Sequence, residues 1–439
     1  MRSCTLIGIG LGNPATLTQE ARDALVAAPL VAGAERVLAA VQHLVRGKTL
    51  ASFDARTIAA AFAAADGNPC AVFSGDTGFY SGATGLRALL ESEGWTVRTL
   101  CGITTAQYFA ARLGEPWQDW HLASAHGTDC DLGIALSYAP RTFFLTGGSI
   151  TVRSIAQFLL DRDCDATLTV GSRLSYLDDD TGVPAAGGGR AFRISADAPL
   201  PAATACADAP IPHASAADHI FSGSPAEILA RDDYDERLAC VLVTRAVPDL
   251  PRAALPDDFF VRSRAPLIPM TKQFVRAAAL ALLAVRDGET VWDIGAGTGA
   301  VSMDLARSAH CAVYAVEENA AACALIRQNR AKAGAVNVAV CPGRAPQVLS
   351  GLPAPAAVFV GGSDGDMDAI LRAVYQKNPA ARVVVACVTL ETLAQLQATA
   401  RALGRGYEAA QLSVARTKAA GAYHLLAAQN PVWLVTLHS

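Results

Sequence analysis

Nine consecutive residues in the C-terminal half have the types and spacing of a small-molecule site. In Val291-Trp292-Asp293-Ile294-Gly295-Ala296-Gly297-Thr298-Gly299, an apolar run ends at an acid and gives way to alternating glycines. Glycine at these positions lets the backbone turn sharply and come close to a ligand. A dinucleotide loop carries a further glycine or alanine where Ala300 stands, so glycine spacing alone leaves a nicotinamide cofactor and S-adenosylmethionine (SAM) both open. Asp293 separates the two. A carboxylate at the loop repels a pyrophosphate and suits the cationic amino group and sulfonium of SAM. Glu317 ends the next apolar run, where an acid accepts both ribose hydroxyls. The expected ligand is SAM, held by Asp293, Gly295, Gly297, Thr298, Gly299 and Glu317.

A second constellation opens the chain. An apolar run at 5–9 enters Gly8-Ile9-Gly10-Leu11-Gly12-Asn13-Pro14, and Thr18 with Glu20 suits a late helix start. Three later turns follow apolar runs in the same way: Ser74-Gly75-Asp76-Thr77-Gly78-Phe79-Tyr80, Gly102-Ile103-Thr104-Thr105-Ala106 and Leu145-Thr146-Gly147-Gly148. Turns rich in glycine and hydroxyls that close successive strands converge on one sheet edge, the usual place for a pocket in α/β folds. Asp76 reads either as a turn residue or as a cofactor-side acid, and the second reading is preferred. His126, beside Gly127, reads first as a packed or capping residue.

These loops need elements to position them, and the chain supplies two sets. Strand-like runs at 70–74, 97–101, 142–146 and 167–170 alternate with alanine-rich helical stretches, the rhythm of an α/β domain. Residues 181–218 are dominated by Ala, Pro and Gly and are expected to form an exposed insertion. A last strand at 238–244 precedes a linker punctuated by Pro248, Pro251 and Pro256. From Thr271 a helix to Val285 leads into seven expected strands, at 291–294, 312–316, 336–340, 357–360, 382–387, 411–415 and 432–437. The expected division is 1–246, a linker at 247–256, and 257–439.

The bulk composition narrows the function. A chain of 439 residues exceeds one hydrophobic core. A formal charge of -4 leaves no footprint for wrapping nucleic acid. The 11 cysteines include no C-x-x-C pair, which argues against a zinc site and a disulfide framework. No metal is expected. The first residues lack the pattern of a signal peptide, and the apolar stretch at 274–285 is far below the ~20 residues that span a bilayer. A cytoplasmic protein with no membrane partner is expected.

From about Asp257 to Pro431 the chain resembles the decarboxylating corrinoid C15-methyltransferases of cobalamin biosynthesis. The resemblance lies in Thr271-Lys272, the Asp293 glycine loop, Glu317, Asn329, Gly343-Arg344-Ala345-Pro346, Val360-Gly361-Gly362-Ser363, Leu390-Glu391-Thr392 and Asn430-Pro431. It implies a Rossmann-like seven-stranded SAM-dependent methyltransferase fold, with Arg344, Ala345, Gly361 and Gly362 joining the cofactor site. The family often carries Asp where Arg344 stands, which leaves the adenine contact to the Ala345 backbone. The first four segments, in their order, resemble the tetrapyrrole methylase family, whose SAM lies between two α/β lobes. Trp117, Ser124, His126-Gly127 and Gly171-Ser172-Arg173-Leu174-Ser175-Tyr176 match its corrinoid C5 branch, and the likeness resumes at Phe221-Ser222-Gly223-Ser224-Pro225. This resemblance implies cofactor contacts from Gly8, Gly10, Leu11, Gly12, Ser74, Gly75, Asp76, Phe79, Thr104, Thr105 and Leu145. Leu11 and Asn13 depart from the family's usual Pro and Asp.

Together the resemblances imply SAM at two sites and a corrinoid substrate, precorrin-6B. They imply methylation at C5 by the N-terminal domain. The C-terminal domain is assigned methylation at C15 and loss of the ring C acetate carboxyl, the whole giving precorrin-8. A homo-oligomer is expected. The substrate carries many carboxylates, so Lys272, Arg276, Arg416 and Lys418 are candidates to hold it, with Tyr423 and His424 nearby. Of these, Lys272, Arg416 and His424 are the candidate catalytic residues. Two other readings remain: a pair of RNA or translation-factor methylases, and a tetrapyrrole carrier without turnover. The first calls for a basic face and an Asn/Asp-Pro-Pro-aromatic motif where Gly361-Gly362-Ser363 stands.

Overall fold

Among the described residues of the first 245, ten strands form two sheets. β1 (Ser3–Gly8), β2 (Leu30–Gly33), β3 (Lys48–Ala51), β4 (Cys70–Phe73) and β5 (Thr96–Leu100) line up as β3-β2-β4-β1-β5, all parallel. β6 (His121–Ser124), β7 (Arg141–Leu145), β8 (Ala166–Ser172), β9 (His219–Gly223) and β10 (Ala239–Arg245) form the second sheet in the order β6-β7-β10-β8-β9. Only the β6–β7 pair is parallel there. The computed structural model describes residues 2–125, 130–175, 218–263 and 268–438.

The remaining strands are β11 (Thr290–Ile294), β12 (Ala312–Glu317), β13 (Val338–Pro342), β14 (Ala357–Val360), β15 (Arg382–Cys387), β16 (Gly406–Leu412), β17 (Ala415–Ala420), β18 (Tyr423–Ala428) and β19 (Val432–His438). Seven of them form one sheet, β13-β12-β11-β14-β15-β19-β16, with β19 antiparallel to both neighbours. Its central strands are continuous apolar runs because helices cover both faces. One face buries Val291, Val313, Phe359 and Val384, the other Trp292, Val358, Val383 and Val435. The chain order reverses between β1 and β4, and again between β11 and β14. Each reversal opens a crevice at the strands' carboxyl ends, where ligands bind in such sheets.

The structure revises several expected elements. The strand expected at 411–415 splits at Ser413: β16 ends at Leu412, and β17 pairs with β18 as a separate ribbon exposed on both faces. The helix expected over 271–285 is shorter, Gln273–Leu283, and stops where Ala284 turns left-handed. Residues 247–256 are mostly exposed but anchored: Leu255 lies in the core beside the third sheet, and Arg307 donates to the carbonyls of Leu250 and Pro251.

The expected insertion at 181–218 lies outside the described residues except for Asp218, as do His126, Gly127 and Tyr176. Asp218 is no exposed loop residue. Its side chain is buried, sits 2.5 Å from Arg112, and accepts from the Tyr108 hydroxyl at 3.1 Å and the Ser175 N–H at 2.7 Å. A buried carboxylate needs such partners. Among the described residues no helix is long and apolar enough to cross a membrane.

The second and third sheets meet at a seam. Arg245, at the end of β10, donates to Leu136 O from Nε (3.1 Å) and to Gly334 O from Nη1 (3.1 Å). Tyr138 is sandwiched between His310, with ring centroids 3.9 Å apart, and His121, at 4.5 Å. Burial lowers both histidine pKa values below 6.5, His310 further lowers that of His121, and Arg252 lowers that of His310. Because the folded pKa values lie below the unfolded ones, their contribution to stability is present above about pH 6.5 and is lost as pH falls through the depressed values. Between pH 8 and pH 5.5 the wild-type thermal midpoint is expected to drop relative to that of His310→Gln, which removes one of the two groups. Parallel curves for the two proteins would contradict the assignment.

Candidate functional site

At the first crevice three backbones converge. A Cβ on Gly8 would stand 2.7 Å from Gly75 O and 2.8 Å from Gly102 N, so only glycine lets β1, the β4 turn and the β5 turn meet. Gly10 and Gly75 exchange backbone hydrogen bonds at 3.1 and 2.7 Å. The carboxylate of Asp76 accepts from Gly78 N–H (2.8 Å) and Gly102 N–H (2.9 Å), tying two of the turns together. Its observed role is to shape the loops. Thr104 caps the helix Thr105–Leu113 in a capping box with Gln107, which commits its hydroxyl to the helix. Leu11 and Phe79, from two separate loops, and Leu145, at the end of β7, pack against one apolar cluster built on Phe109, Trp120 and Phe143. Gly75 faces open space: no atom lies within 4 Å of where its Cβ would be. The site therefore has a polar backbone floor and an apolar wall.

At the second crevice Asp293 is buried. Its Oδ2 accepts from the Ser302 hydroxyl, while Oδ1 is buried with no partner. The Thr298 hydroxyl is likewise buried and unpartnered. Burial pushes the Asp293 carboxyl up to about 7; the Ser302 hydrogen bonds pull it down, and the charge of Glu317 adds to the rise. Glu317 accepts from Gly297 N–H at 2.8 Å and Asn319 N–H at 2.9 Å, which fixes the loop against the end of β12. Gly295 packs on the Gly362 backbone, and Gly297 on Pro269 O, with no room for a side chain at either. Gly362 itself faces open space. An orphaned carboxylate oxygen beside a glycine cradle fits a ligand with a cationic amino group.

Other expected contacts separate. Arg344 is half-exposed and pairs with Asp366 at 2.8 Å and with Glu318 at 3.7 Å. Its guanidinium thus bridges the loops after β12 and β14 at the mouth of the crevice. Ala345 packs against the core below it. Arg276, expected on the substrate, is fully buried and paired with Asp304 at 2.6 Å and Asp257 at 2.9 Å. It is a structural cation. Lys272 is exposed at the N-cap of Gln273–Leu283. Arg416 reaches the same corner, 4.0 Å from Asp257, whose carboxylate accepts from Gln273 N–H. The ribbon register puts Arg416, Lys418, Tyr423 and Leu425 on one face and His424 on the other, so His424 is parted from Arg416. Ser302 was not foreseen. The only cue is a hydroxyl one turn into the helix that follows the glycine loop.

Residues 3–184 match the family described as Tetrapyrrole (Corrin/Porphyrin) Methylases, and residues 268–438 match the Precorrin methyltransferase domain. The chain is 30% identical over 402 residues to the precorrin-6Y C(5,15)-methyltransferase [decarboxylating] of Sinorhizobium sp, covering 89% of this chain and 86% of that protein. The chain belongs to the decarboxylating precorrin-6Y C5,15-methyltransferase family. Its C-terminal part is 36% identical over 188 residues to a probable cobalt-precorrin-6B C(15)-methyltransferase (decarboxylating) of Pyrobaculum calidifontis, spanning 42% of this chain and 95% of the relative. A solved structure of the precorrin-6Y C5,15-methyltransferase from Geobacter metallireducens is 34% identical, covers 43% of this chain and 98% of that one, and superimposes with a TM-score of 0.40. As a member of the precorrin-6Y C5,15-methyltransferases, the chain is a methyltransferase enzyme.

Proposed function

We propose that this enzyme methylates precorrin-6B at C5 and C15 and removes the ring C acetate carboxyl as carbon dioxide, giving precorrin-8. The reading assigns C5 methylation to residues 1–246, in a two-lobed tetrapyrrole-methylase fold. It assigns C15 methylation and decarboxylation to residues 257–439, in a Rossmann-like methyltransferase fold. It places one SAM in each crevice, and the observation that carries it is the pair of glycine cradles at the two points where strand order reverses. SAM supplies an electrophilic methyl group. The protein aligns the reacting atoms and excludes water, which is why no acid–base triad is needed. In the first crevice the backbones of Gly8, Gly10, Gly12 and Gly75 form the floor, with Leu11, Phe79 and Leu145 as the apolar wall. In the second, Asp293 and Glu317 take the polar end and the ribose, and Lys272 with Arg416 holds substrate carboxylates.

The deciding experiment incubates the enzyme with SAM and precorrin-6B and weighs the product. A gain of two methyls with loss of one carbon dioxide supports the reading, and an unchanged corrinoid refutes it. Calorimetry with S-adenosylhomocysteine is expected to find two equivalents per chain. A homo-oligomer completes the reading. The β17–β18 ribbon exposes Leu425, Leu426 and Tyr423, which a second copy would cover, and sedimentation equilibrium reads the outcome.

Asp293 gives this site a pH signature. Its folded pKa, about 7, lies above the ordinary value of 3.8. The ligand-free domain therefore gains stability from the protonated carboxyl below about pH 4 and loses it as pH rises through about 7. Binding a cationic amino group favours the ionised form. S-adenosylhomocysteine affinity at the second site is expected to rise between pH 6 and pH 8, with less than one proton released per site near pH 6.5. Asp293→Asn is expected to bind weakly and without that pH dependence. Proton release equal in the two proteins would refute the assignment.

A further inference from the structure

The loop after β14 doubles back on itself before the helix Met367–Lys377. Asp364 and Gly365 take left-handed φ values of 43° and 90°, and Asp366 N–H donates to Ser363 O at 2.8 Å. Asp366 is the N-cap of that helix, yet its carboxylate accepts nothing from the helix N–H groups. Aspartate is a preferred N-cap because its oxygen answers one of the unpaired N–H groups of the first turn. That local stabilisation is forgone here. The carboxylate goes to Arg344, which donates to it from Nη2 at 2.8 Å and from Nε at 3.0 Å. On its other side the loop is held by Gln395, whose amide donates to Gly365 O at 2.6 Å.

This ion pair spans the sheet. Arg344 follows β13 and Asp366 follows β14, with β12 and β11 lying between them in the strand order. Three strand spacings come to about 14 Å, so the two loops lean toward each other across the carboxyl ends of β12 and β11. Those ends carry Glu317 and the glycine loop at 295–299. Both bridged loops start from that floor: Gly361 N–H donates to Ile294 O at 2.8 Å, and Gly343 N–H to Glu317 O at 2.9 Å. Gly362, in the same loop as Asp366, faces the open space assigned to the donor. Glu318, beside Glu317, lies 3.7 Å from Arg344 Nη1 and steadies the guanidinium from below. All three charged side chains are partly exposed, so water and salt reach the pair and let it open.

We propose that Arg344 and Asp366 form a strap over the donor in the second crevice, and that its opening sets how fast S-adenosylhomocysteine leaves. The inference rests on the reading that places a donor there. Arg344 acts through Asp366, holding the loop that carries Gly362 against the ligand. It is a positioning residue and touches neither the adenine nor the reacting atoms. An exposed ion pair adds little to stability, so a carboxylate drawn away from its own helix to make one is explained by closure of the crevice.

The test loads the full chain with radiolabelled S-adenosylhomocysteine, chases it with unlabelled compound and follows release by rapid filtration. The release phase that is missing in Asp293→Asn belongs to the second crevice. Arg344→Gln and Asp366→Asn are each expected to speed that phase about fivefold, near the upper end for an exposed pair. The double variant is expected to be no faster than either single one, and Arg344→Lys to fall between Arg344→Gln and wild type. In Asp366→Asn the guanidinium keeps Glu318, but that contact does not reach the loop after β14. Raising NaCl from about 50 mM to about 500 mM is expected to speed wild-type release and to leave Arg344→Gln nearly unchanged. The ligand-free thermal midpoint of Arg344→Gln is expected to hold, since the released Asp366 can turn to cap its helix. Fast release in Arg344→Gln with normal release in Asp366→Asn would mean that Arg344 meets the donor directly, and would overturn the strap. A midpoint falling in step with faster release would do the same, by showing a merely structural role. A phase that depends on Asp293 but ignores both variants overturns the strap alone, whereas a wild type with no such phase brings down the second-crevice reading and the strap with it.

Discussion

Replacing Arg276 with methionine is expected to lower the thermal midpoint of the C-terminal half by roughly 10 °C and to weaken donor binding there, while the first crevice keeps its affinity. Arg276 has no exposed surface. Its Nε donates to Asp304 at 2.6 Å, its Nη1 to Asp257 at 2.9 Å and Thr271 O at 2.6 Å, and its Nη2 to Leu255 O. Burial raises the Asp304 pKa, and Arg276 is the main group pulling it back. Without the guanidinium, Asp304 becomes a buried carboxylate with no counter-ion, a loss of about 3–5 kcal/mol. The functional effect follows a different link. Arg276 and Asp257 hold Thr271 and Gln273, and this segment packs on the loop at Gly297, where a Cβ would meet Pro269 O at 2.6 Å. Changing Asp304 to leucine in the same chain is expected to recover most of the midpoint but not the affinity, because Thr271 stays untethered. Differential scanning calorimetry and S-adenosylhomocysteine titration read the two effects separately. A single variant within about 2 °C of wild type would show that the pair is dispensable.

Arg276 also shows where sequence reading stops. As a type it looked like a hand for a carboxylated substrate, and it stands four residues from Lys272, which is exposed. Helical periodicity does not separate the two, since positions four apart share a face; Lys272 stays exposed because it is the N-cap, outside the helix. Here Val275, Arg276 and Ala279 turn inward. The partner that makes burial tolerable, Asp304, comes from the helix Ala300–Ser308, and no spacing rule links it to Arg276. The glycine loops were legible for the opposite reason. Their constraint is local: a left-handed φ of 70° at Gly295 and 57° at Gly297 demands glycine whatever lies far away in the chain. The strands were legible as apolar runs wherever both faces are covered.

Short strands such as β2 and β3 were missed because four residues give too few repeats to show a period. Of the β17–β18 ribbon only Ala415 was expected in a strand, and its apolar Leu425 and Leu426 lie exposed. An apolar residue signals burial in the final assembly, and sequence does not say which chain covers it. Leu11, Phe79 and Leu145 were named only through the family resemblance, because the wall they form is assembled from segments far apart in sequence.

Glycine positions separate a fold requirement from a ligand requirement. At Gly102 an added Cβ would lie 2.7 Å from the carbonyl carbon of Gly8 and closer still to the oxygen of Gly75. All the clashing atoms are backbone, held by β1, β4 and their sheet, so none swings aside. Gly102→Ala is expected to push the three turns apart, to cost about 1–3 kcal/mol of stability and to abolish C5 methylation, with the C15 step retained. Gly362 is the contrast. No atom lies within 4 Å of its Cβ position, and its φ is outside the left-handed region. Gly362→Ala is expected to keep the wild-type thermal midpoint and yet lose at least tenfold in donor affinity at the second crevice, since the space that the methyl enters is the space assigned to the ligand. Calorimetric stoichiometry then falls from two equivalents to one at concentrations that saturate only the intact site. Normal affinity in a stable Gly362→Ala protein would mean that the donor lies elsewhere, and normal C5 methylation in Gly102→Ala would mean that the first crevice tolerates a gap the structure closes.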